Sequence, residues 1–190
     1  MENILFVNSC VNLEKSRTNE LANWYLSLQK GNINTIYLDN LHLKALDTNT
    51  LNEREEMIKS KDFSSTIFEQ AKLLKNADKL IIAAPYWDLS FPAMLKTYLE
   101  HICIKDLTFC YGPTGIPQGL TSIKEVVYIT TSGGYIGDFD FGFEYIKKLF
   151  SCLFSVEQFS TFSAQGLDIY NSNVAQIMQE AKDKISKSIG

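Results

Sequence analysis

The sequence predicts an α/β protein in which a doubly wound, five-stranded parallel sheet carries helices on both faces. Three observations predict it: short apolar runs that are continuous rather than alternating, helical stripes of apolar residues, and the regular alternation of the two along the chain. A continuous apolar run is typical of a strand buried on both faces. Strand–helix alternation is typical of a parallel sheet whose crossover connections are helices.

Five segments are predicted as strands. Three are the continuous apolar runs at residues 4–7, 80–84 and 126–129. Residues 33–38 form a weaker candidate, and residues 156–162 form the most polar one, which favours an edge strand with a bend. Five strands favour the flavodoxin-like order 2-1-3-4-5, because the other common doubly wound order needs a sixth strand.

Five segments between and after these strands place apolar residues on one helical face. They are residues 21–28, 63–74, 95–102, 143–153 and 174–185. We interpret each stripe as the face of a helix that packs against the sheet. The connection at residues 103–125 is unusually long and includes a Gly/Pro-rich stretch at 112–119, which we expect to be a loop. Long connections are often functional.

Composition indicates one globular domain over residues 1–190, with 45% hydrophobic and 21% charged residues. The net charge of −4 and the lack of a basic run argue against nucleic-acid binding. No apolar stretch approaches the roughly 20 residues that cross a membrane, and no signal-peptide pattern is present, so a cytoplasmic protein is expected. The four cysteines lack paired metal-site spacing, so no metal is predicted. His101 is interpreted as a surface or packing residue of its helix.

Ligands of such sheets bind beyond the carboxyl ends of the strands, which nominates the loops after residues 7, 84 and 130. The first loop is polar and ends at a helix start, where Ser16 is a candidate N-cap and Arg17 adds charge. Free N–H groups at a helix N-terminus suit a phosphate, although capping alone would also explain the loop. The chain contains neither a P-loop nor a GxGxxG motif, which argues against a P-loop NTPase and a dinucleotide-binding Rossmann site.

The second and third loops suit a flat ligand. Residues 85–92 include three aromatic residues and two prolines, and large apolar groups on a loop indicate that they cover something. A rigid turn with locally packed aromatics is the alternative. In the third loop, Gly133 and Gly134 allow close approach of backbone to a ligand, or form an ordinary turn.

The run IAAPYWDLSFPAMLKTY at residues 82–98 resembles the signature of the FMN-dependent NADH-azoreductases and NAD(P)H:quinone oxidoreductases. Residues 107–111, 115–120, 129–134 and 164–167 resemble further motifs of that family in the same order. The resemblance covers nearly the whole chain, and the first motif is the most specific. It implies a flavodoxin-like fold and a homodimer with a flavin at the subunit interface.

The resemblance also implies a cofactor and a reaction. FMN would accept a hydride from NADH or NADPH, and a quinone, azo or nitroaromatic compound would then be reduced in a ping-pong cycle. The implied cofactor-binding residues are Ser9, Ser16, Arg17 and Thr18 at the phosphate, Pro85, Tyr86, Trp87, Asp88 and Leu89 around the ring, and Thr131, Ser132, Gly133 and Gly134 at its other edge. No nucleophile–base pair is visible, which is consistent with chemistry that the flavin supplies.

Several positions depart from the family pattern. Asp88 stands where the family has Asn, and an ionised carboxylate can only accept hydrogen bonds, so we expect a lowered flavin potential. The alternatives are that the site keeps the Asp88 carboxyl protonated or that the side chain points to solvent. Ser132 replaces an Arg, while Trp87 and Leu89 reshape the substrate side and leave the acceptor open. Two non-enzymatic alternatives are an electron-carrier flavodoxin and a flavin-binding sensor. The long 103–125 connection speaks against the carrier.

Overall fold

The computed structural model describes residues 1–189, which form seven strands and seven α-helices. In chain order the elements are β1 (Asn3–Asn8), α1 (Arg17–Ser27), β2 (Asn32–Tyr37), α2 (Leu38–Leu41), α3 (Thr48–Ser60), α4 (Glu69–Lys75), β3 (Lys79–Ala83), α5 (Ala93–Ile102), β4 (Phe109–Tyr111), β5 (Pro117–Gly119), β6 (Glu125–Thr131), α6 (Phe143–Phe154), β7 (Gln158–Ala164) and α7 (Val174–Ile189). A short 3₁₀ turn, Thr66–Phe68, precedes α4.

Five strands form one parallel sheet in the order β2-β1-β3-β6-β7. Since β6 and β7 are the fourth and fifth strands of this sheet, the predicted order 2-1-3-4-5 is confirmed, as is the edge position of the last strand. Asn8 pairs with Ala83, and Ala83 pairs with Ile129. This register places the carboxyl ends of β1, β3 and β6 side by side, so the loops that follow them meet at one edge of the sheet.

The central strands are buried on both faces, which explains their continuous apolar sequences. Leu80 and Ile82 of β3 belong to the core that includes residues of α5 and α6. Ile81 and Ala83 of the same strand belong to the opposite core, which includes residues of α1 and α7. Because successive side chains of a strand point to opposite faces, a two-sided core requires an apolar residue at every position.

Helix α3 was not predicted, because Ile58 is its only buried residue and the helix therefore lacks an apolar stripe. Its start is set by Asp47, whose Oδ1 accepts a hydrogen bond of 2.8 Å from the backbone N–H of Thr50. The predicted helix over residues 63–74 is shorter than expected, since only α4 and the preceding 3₁₀ turn are helical there.

The expectation of a loop at residues 112–119 was wrong in part. Strands β4 and β5 pair antiparallel as a hairpin that spans this stretch. The hairpin rests on the end of α6, where the N–H of Gly119 donates to Ser155 Oγ at 3.0 Å. A side chain at Gly119 would collide with the backbone of Phe154, so the close approach requires glycine.

His101 on α5 is buried, and its Nε2 lies 2.9 Å from the carbonyl oxygen of Lys44, so of the two interpretations that the sequence allows, surface or packing, the structure shows packing. Among residues 1–189, no helix combines the length and apolar character that crossing a membrane requires.

Candidate functional site

A polar cleft of about 310 Å³ opens where the carboxyl ends of β1, β3 and β6 meet. All three predicted loops contribute to it, together with the loop between β7 and α7. The lining residues are Val11, Asn12, Lys15, Ser16, Arg17, Thr18, Pro85, Tyr86, Trp87, Thr131, Gly133 and Asp168. The fold therefore gathers residues that are far apart in sequence into one concave surface of a size that suits a cofactor.

The first turn of α1 forms one end of the cleft. Ser16 is the N-cap, as predicted, because its Oγ accepts a hydrogen bond of 3.2 Å from the N–H of Asn19. The first N–H groups of a helix lack intrahelical partners and carry partial positive charge, so those of Arg17 and Thr18 favour an anion. The side chains of Lys15 and Arg17 add positive charge to the same end.

Arg17 is held by an acidic residue that the sequence did not reveal. Its Nη1 donates to Asp168 Oδ1 at 2.8 Å and its Nη2 donates to Asp168 Oδ2 at 3.2 Å. The guanidinium lowers the pKa of the Asp168 carboxyl below its ordinary value of 3.8. Asp168 lies just beyond the 164–167 motif, but only the fold shows that it faces Arg17.

The predicted hydroxyls of this end differ in their surroundings. Thr18 lines the cleft and contacts Thr131 through the two hydroxyl oxygens, 2.6 Å apart and buried. Ser9 does not line the cleft, since it is buried and its Oγ donates to the carbonyl oxygen of Ala83 at 2.9 Å. Because the Ser9 hydroxyl donates its proton within the loop, it could only accept a hydrogen bond from any other group.

Asn8 was also missed, although it shapes the first loop. Its Nδ2 donates to Asn19 Oδ1 at 2.8 Å, and its Oδ1 accepts from the N–H of Cys10 at 2.9 Å. The side chain thus ties the end of β1 to α1. Burial raises the pKa of the Cys10 thiol from 9.0 to about 11, so this cysteine stays neutral below the cleft.

The aromatic loop closes in a tight turn. Trp87 and Ser90 exchange two backbone hydrogen bonds of 3.0 Å and 2.8 Å. Between them, Asp88 and Leu89 have φ angles of 49° and 68°, which is the type I′ geometry. The left-handed region costs an L-residue about 1–2 kcal/mol, so the loop holds two strained residues in succession.

The structure separates the residues of this loop by position. Pro85 and Tyr86 are half-buried and line the cleft, and Trp87 lines it with 45% of its surface exposed. Asp88 and Leu89, at the tip of the turn, are exposed and lie outside the cleft lining. Of the five residues that the sequence nominates around a ring, Pro85, Tyr86 and Trp87 therefore line the cleft, and Asp88 and Leu89 do not.

Tyr86 links this loop to residues 137–142. Its hydroxyl donates to the carbonyl oxygen of Phe139 at 2.8 Å, and Ser90 Oγ donates to that of Phe141 at 3.3 Å. Desolvation, with a contribution from the Asp140 charge, raises the pKa of Tyr86, which keeps the phenol protonated as a donor. The rings of Phe139 and Phe141 remain more than half exposed beside the cleft.

The third loop offers backbone rather than side chains. Ser132 is buried, and its Oγ donates to the carbonyl oxygen of Gly134 at 2.6 Å. Gly133 lines the cleft, and a Cβ there would lie 3.1 Å from Asp168 Cγ. Ser132 and Gly134 lie outside the lining. This wall can therefore approach a ligand through its main chain at Thr131 and Gly133.

The chemistry of the lining favours binding over side-chain catalysis. Its ionic groups are Lys15, Arg17 and Asp168, and the lining includes neither His nor Cys. The lining hydroxyls and Asp168 are engaged elsewhere: Thr18 with Thr131, Ser16 with the N–H of Asn19, and Asp168 with Arg17, so no hydroxyl is seen paired with a base. A cationic helix start at one end and aromatic side chains at the other suit a ligand that joins a phosphate to a flat ring.

Comparison with known proteins shows the family to which the chain belongs. Residues 2–189 match the protein family described by its flavodoxin-like fold. The chain belongs to this family. It is 32% identical over 201 residues to the FMN-dependent NADH:quinone oxidoreductase of Clostridium beijerinckii, with 99% of this chain and 98% of the relative covered. It is 30% identical over 193 residues to FMN-dependent NADH:quinone oxidoreductase 2 of Clostridium perfringens, with 97% and 96% covered.

Solved structures share the architecture. The azoreductase from Bacillus anthracis superposes with a TM-score of 0.85 at 20% identity, covering 100% of this chain and 99% of that chain. At this identity the likeness shows the fold. The family predicted from the sequence motifs is confirmed, as is the flavodoxin-like fold.

Proposed function

We propose that the chain is an FMN-dependent oxidoreductase that moves a hydride from NADH or NADPH to a quinone or azo compound. One observation carries the proposal: the sheet register brings the cationic start of α1 and the Tyr86–Trp87 wall into a single cleft. The names of the Clostridium relatives, which align over nearly the whole chain, support the same reaction.

The phosphate of FMN fits the α1 end of the cleft. The N–H groups of Arg17 and Thr18, with the cationic side chains of Lys15 and Arg17, form a donor set for a dianion. The Ser16 hydroxyl accepts from Asn19, and its proton remains available to a phosphate oxygen. Ser9 supports this site through the backbone of β3.

The ring system fits the other end. Tyr86 and Trp87 present aromatic surface, and Thr131 and Gly133 present backbone on the facing wall. A bound flavin would supply the hydride chemistry, as cofactors do in general. The protein residues orient the ring, and Trp87, half exposed, covers part of it from water. Pro85 and the Tyr86–Phe139 hydrogen bond fix the wall in place.

Exposed aromatic residues lie on the loops after β6 and β7, which also contribute Gly133 and Asp168 to the cleft lining. Phe139, Phe141, Tyr135 and Tyr170 have between 56% and 91% of their surface exposed. Large exposed apolar groups mark interaction surfaces, and we propose that a second copy of the chain covers them in a homodimer. The acceptor would then bind over the ring, between the two subunits. NADH is favoured over NADPH by the names of the relatives.

Two anaerobic half-reactions test this proposal. The FMN-loaded protein should lose its flavin absorbance when one equivalent of NADH is added. After NAD⁺ is removed, one equivalent of a quinone should restore the absorbance, as a ping-pong cycle requires. Flavin that NADH leaves oxidised would instead support the electron carrier. Reduction by NADH without reoxidation by quinone, azo or nitroaromatic compounds would support the sensor.

A further inference from the structure

The ion pair between Arg17 and Asp168 lies inside the proposed phosphate end of the cleft. Both residues are in the lining, and both oxygens of the carboxylate accept hydrogen bonds from the guanidinium. A third bond, of 3.4 Å, joins Arg17 Nη1 to the carbonyl oxygen of Leu167. The geometry is the bidentate one in which Arg recognises carboxylates and phosphates alike. Asp168 therefore occupies the same donor surface that a phosphate would use.

Asp168 is held in this position by contacts other than Arg17. Its backbone N–H donates to the carbonyl oxygen of Gly133 at 2.9 Å, and its side chain packs against the Cα of that glycine. The flanking residues are fixed too, since Leu167 N–H donates to Ser132 O at 3.2 Å and Gly166 N–H donates to Gly134 O at 3.0 Å. The main chain that carries Asp168 is thus fixed in the cleft wall, while the side chain itself is 64% exposed.

We propose that Asp168 is an internal counter-ion that competes with the cofactor phosphate for Arg17 and so determines how strongly the site prefers a phosphorylated flavin. This inference rests on the proposed function. A phosphate dianion that enters the cleft must take over donors that Asp168 holds, and it must approach a fixed negative charge. The ring of the flavin binds elsewhere in the cleft, so riboflavin, which lacks the phosphate, is unaffected by this competition.

The test compares two ligands and one conservative substitution. Asp168→Asn keeps the size of the side chain and removes its charge. The dissociation constant for FMN, measured by flavin fluorescence, should fall about threefold to tenfold, a range typical of a partly exposed ion pair and one unit of charge. The dissociation constant for riboflavin should stay unchanged. Weaker FMN binding by Asp168→Asn would overturn the proposal, because it would mean that Asp168 orients Arg17 for the phosphate.

Three further variants test whether the change in FMN affinity depends on Arg17. Glu157→Gln removes the same charge from an exposed residue beside the amino end of β7, and it should leave both constants unchanged. Arg17→Gln should weaken the binding of FMN but not the binding of riboflavin. In Arg17→Gln/Asp168→Asn the gain in FMN affinity from the Asp168 change should shrink to the part that comes from charge repulsion, because no guanidinium remains to be released. A gain of the same size with and without Arg17 would contradict competition for that residue.

Inorganic phosphate gives a readout that needs no flavin. It should raise the melting temperature of Asp168→Asn more than that of the wild type, and equal shifts would contradict the inference. Asp168→Ser serves as a second variant if Asp168→Asn does not fold. If the wild type binds neither FMN nor riboflavin, the proposed function fails. If both bind and their ratio is the same in Asp168→Asn, only the role of Asp168 is wrong.

Discussion

The hydroxyl oxygens of Thr18 and Thr131 lie 2.6 Å apart and join the first turn of α1 to the carboxyl end of β6. Both residues are almost entirely buried, with 1% and 7% of their surface exposed. One hydroxyl must donate and the other accept, so each satisfies its partner. Two residues that the sequence nominates separately for cofactor binding therefore also connect two walls of the cleft.

We expect Thr18→Val and Thr131→Val each to destabilise the protein by about 1–3 kcal/mol, because each leaves the other buried hydroxyl without its partner. The double variant should cost less than the sum of the two, since it removes both polar groups. Urea unfolding of the wild type, the two single variants and the double variant measures the coupling free energy between the two hydroxyls. Additive costs would show that the contact contributes little to stability.

Leu89→Gly should stabilise the flavin-free protein by about 0.5–1 kcal/mol, because glycine lacks the Cβ that crowds the backbone at the observed φ of 68°. Thermal unfolding measures the gain. Leu13→Gly is the matched control, since Leu13 is an exposed loop leucine that is not among the positive-φ residues. Equal effects of the two substitutions would argue against strain at Leu89.

Asp88→Asn should raise the midpoint potential of bound FMN, because reduction adds electrons to the ring and a nearby negative charge opposes it. The exposed position of Asp88 makes the rise small and sensitive to salt. Spectroelectrochemical titrations at low and high ionic strength measure both properties, with Glu157→Gln as the control. A potential that does not change at low salt would exclude an electrostatic role for Asp88.

Stability should fall as pH rises above about 9, because the buried Cys10 thiol titrates at 9.0 when unfolded and at about 11 when folded. The folded state keeps a proton that the unfolded state releases. The stability that the neutral Cys10 thiol contributes is therefore fully present below pH 9 and is lost as the pH rises toward about 11. Cys103, whose pKa burial raises to about 12, adds to the same trend.

Urea midpoints measured across this alkaline range test the expectation. Cys10→Ala should reduce the pH dependence, whereas Cys152→Ala, at an exposed position, should not. A pH dependence that is the same in Cys10→Ala and in the wild type would assign the loss of stability to other groups.

The strands of the main sheet could be predicted because burial on both faces leaves a direct trace in the sequence. Residues 80–84 are apolar at every position since β3 lies between two cores. Helix α3 leaves no such trace, because its burial is limited to Ile58. The β4–β5 hairpin was missed because each strand has three residues, too few to show a period.

The candidate site could likewise be predicted only in part. The loops could be located because the carboxyl ends of parallel strands share an edge, and their residue types indicated a phosphate and a ring. The ion pair between Arg17 and Asp168 could not be predicted, because the two residues are 151 positions apart in the sequence and meet only through the fold. The sequence also could not predict which residues of the aromatic turn face the cleft. Trp87 lines the cleft, whereas Asp88, the next residue, does not.

The most direct test of the central claim, that the cleft binds FMN, is a fluorescence titration of FMN with the purified protein. We predict saturation at one FMN per chain, with the flavin emission quenched by the aromatic wall of Tyr86 and Trp87, and a weaker constant for Arg17→Gln. FMN that shows no saturable binding, or that binds equally well to wild type and Arg17→Gln, would contradict the placement of the cofactor in this cleft.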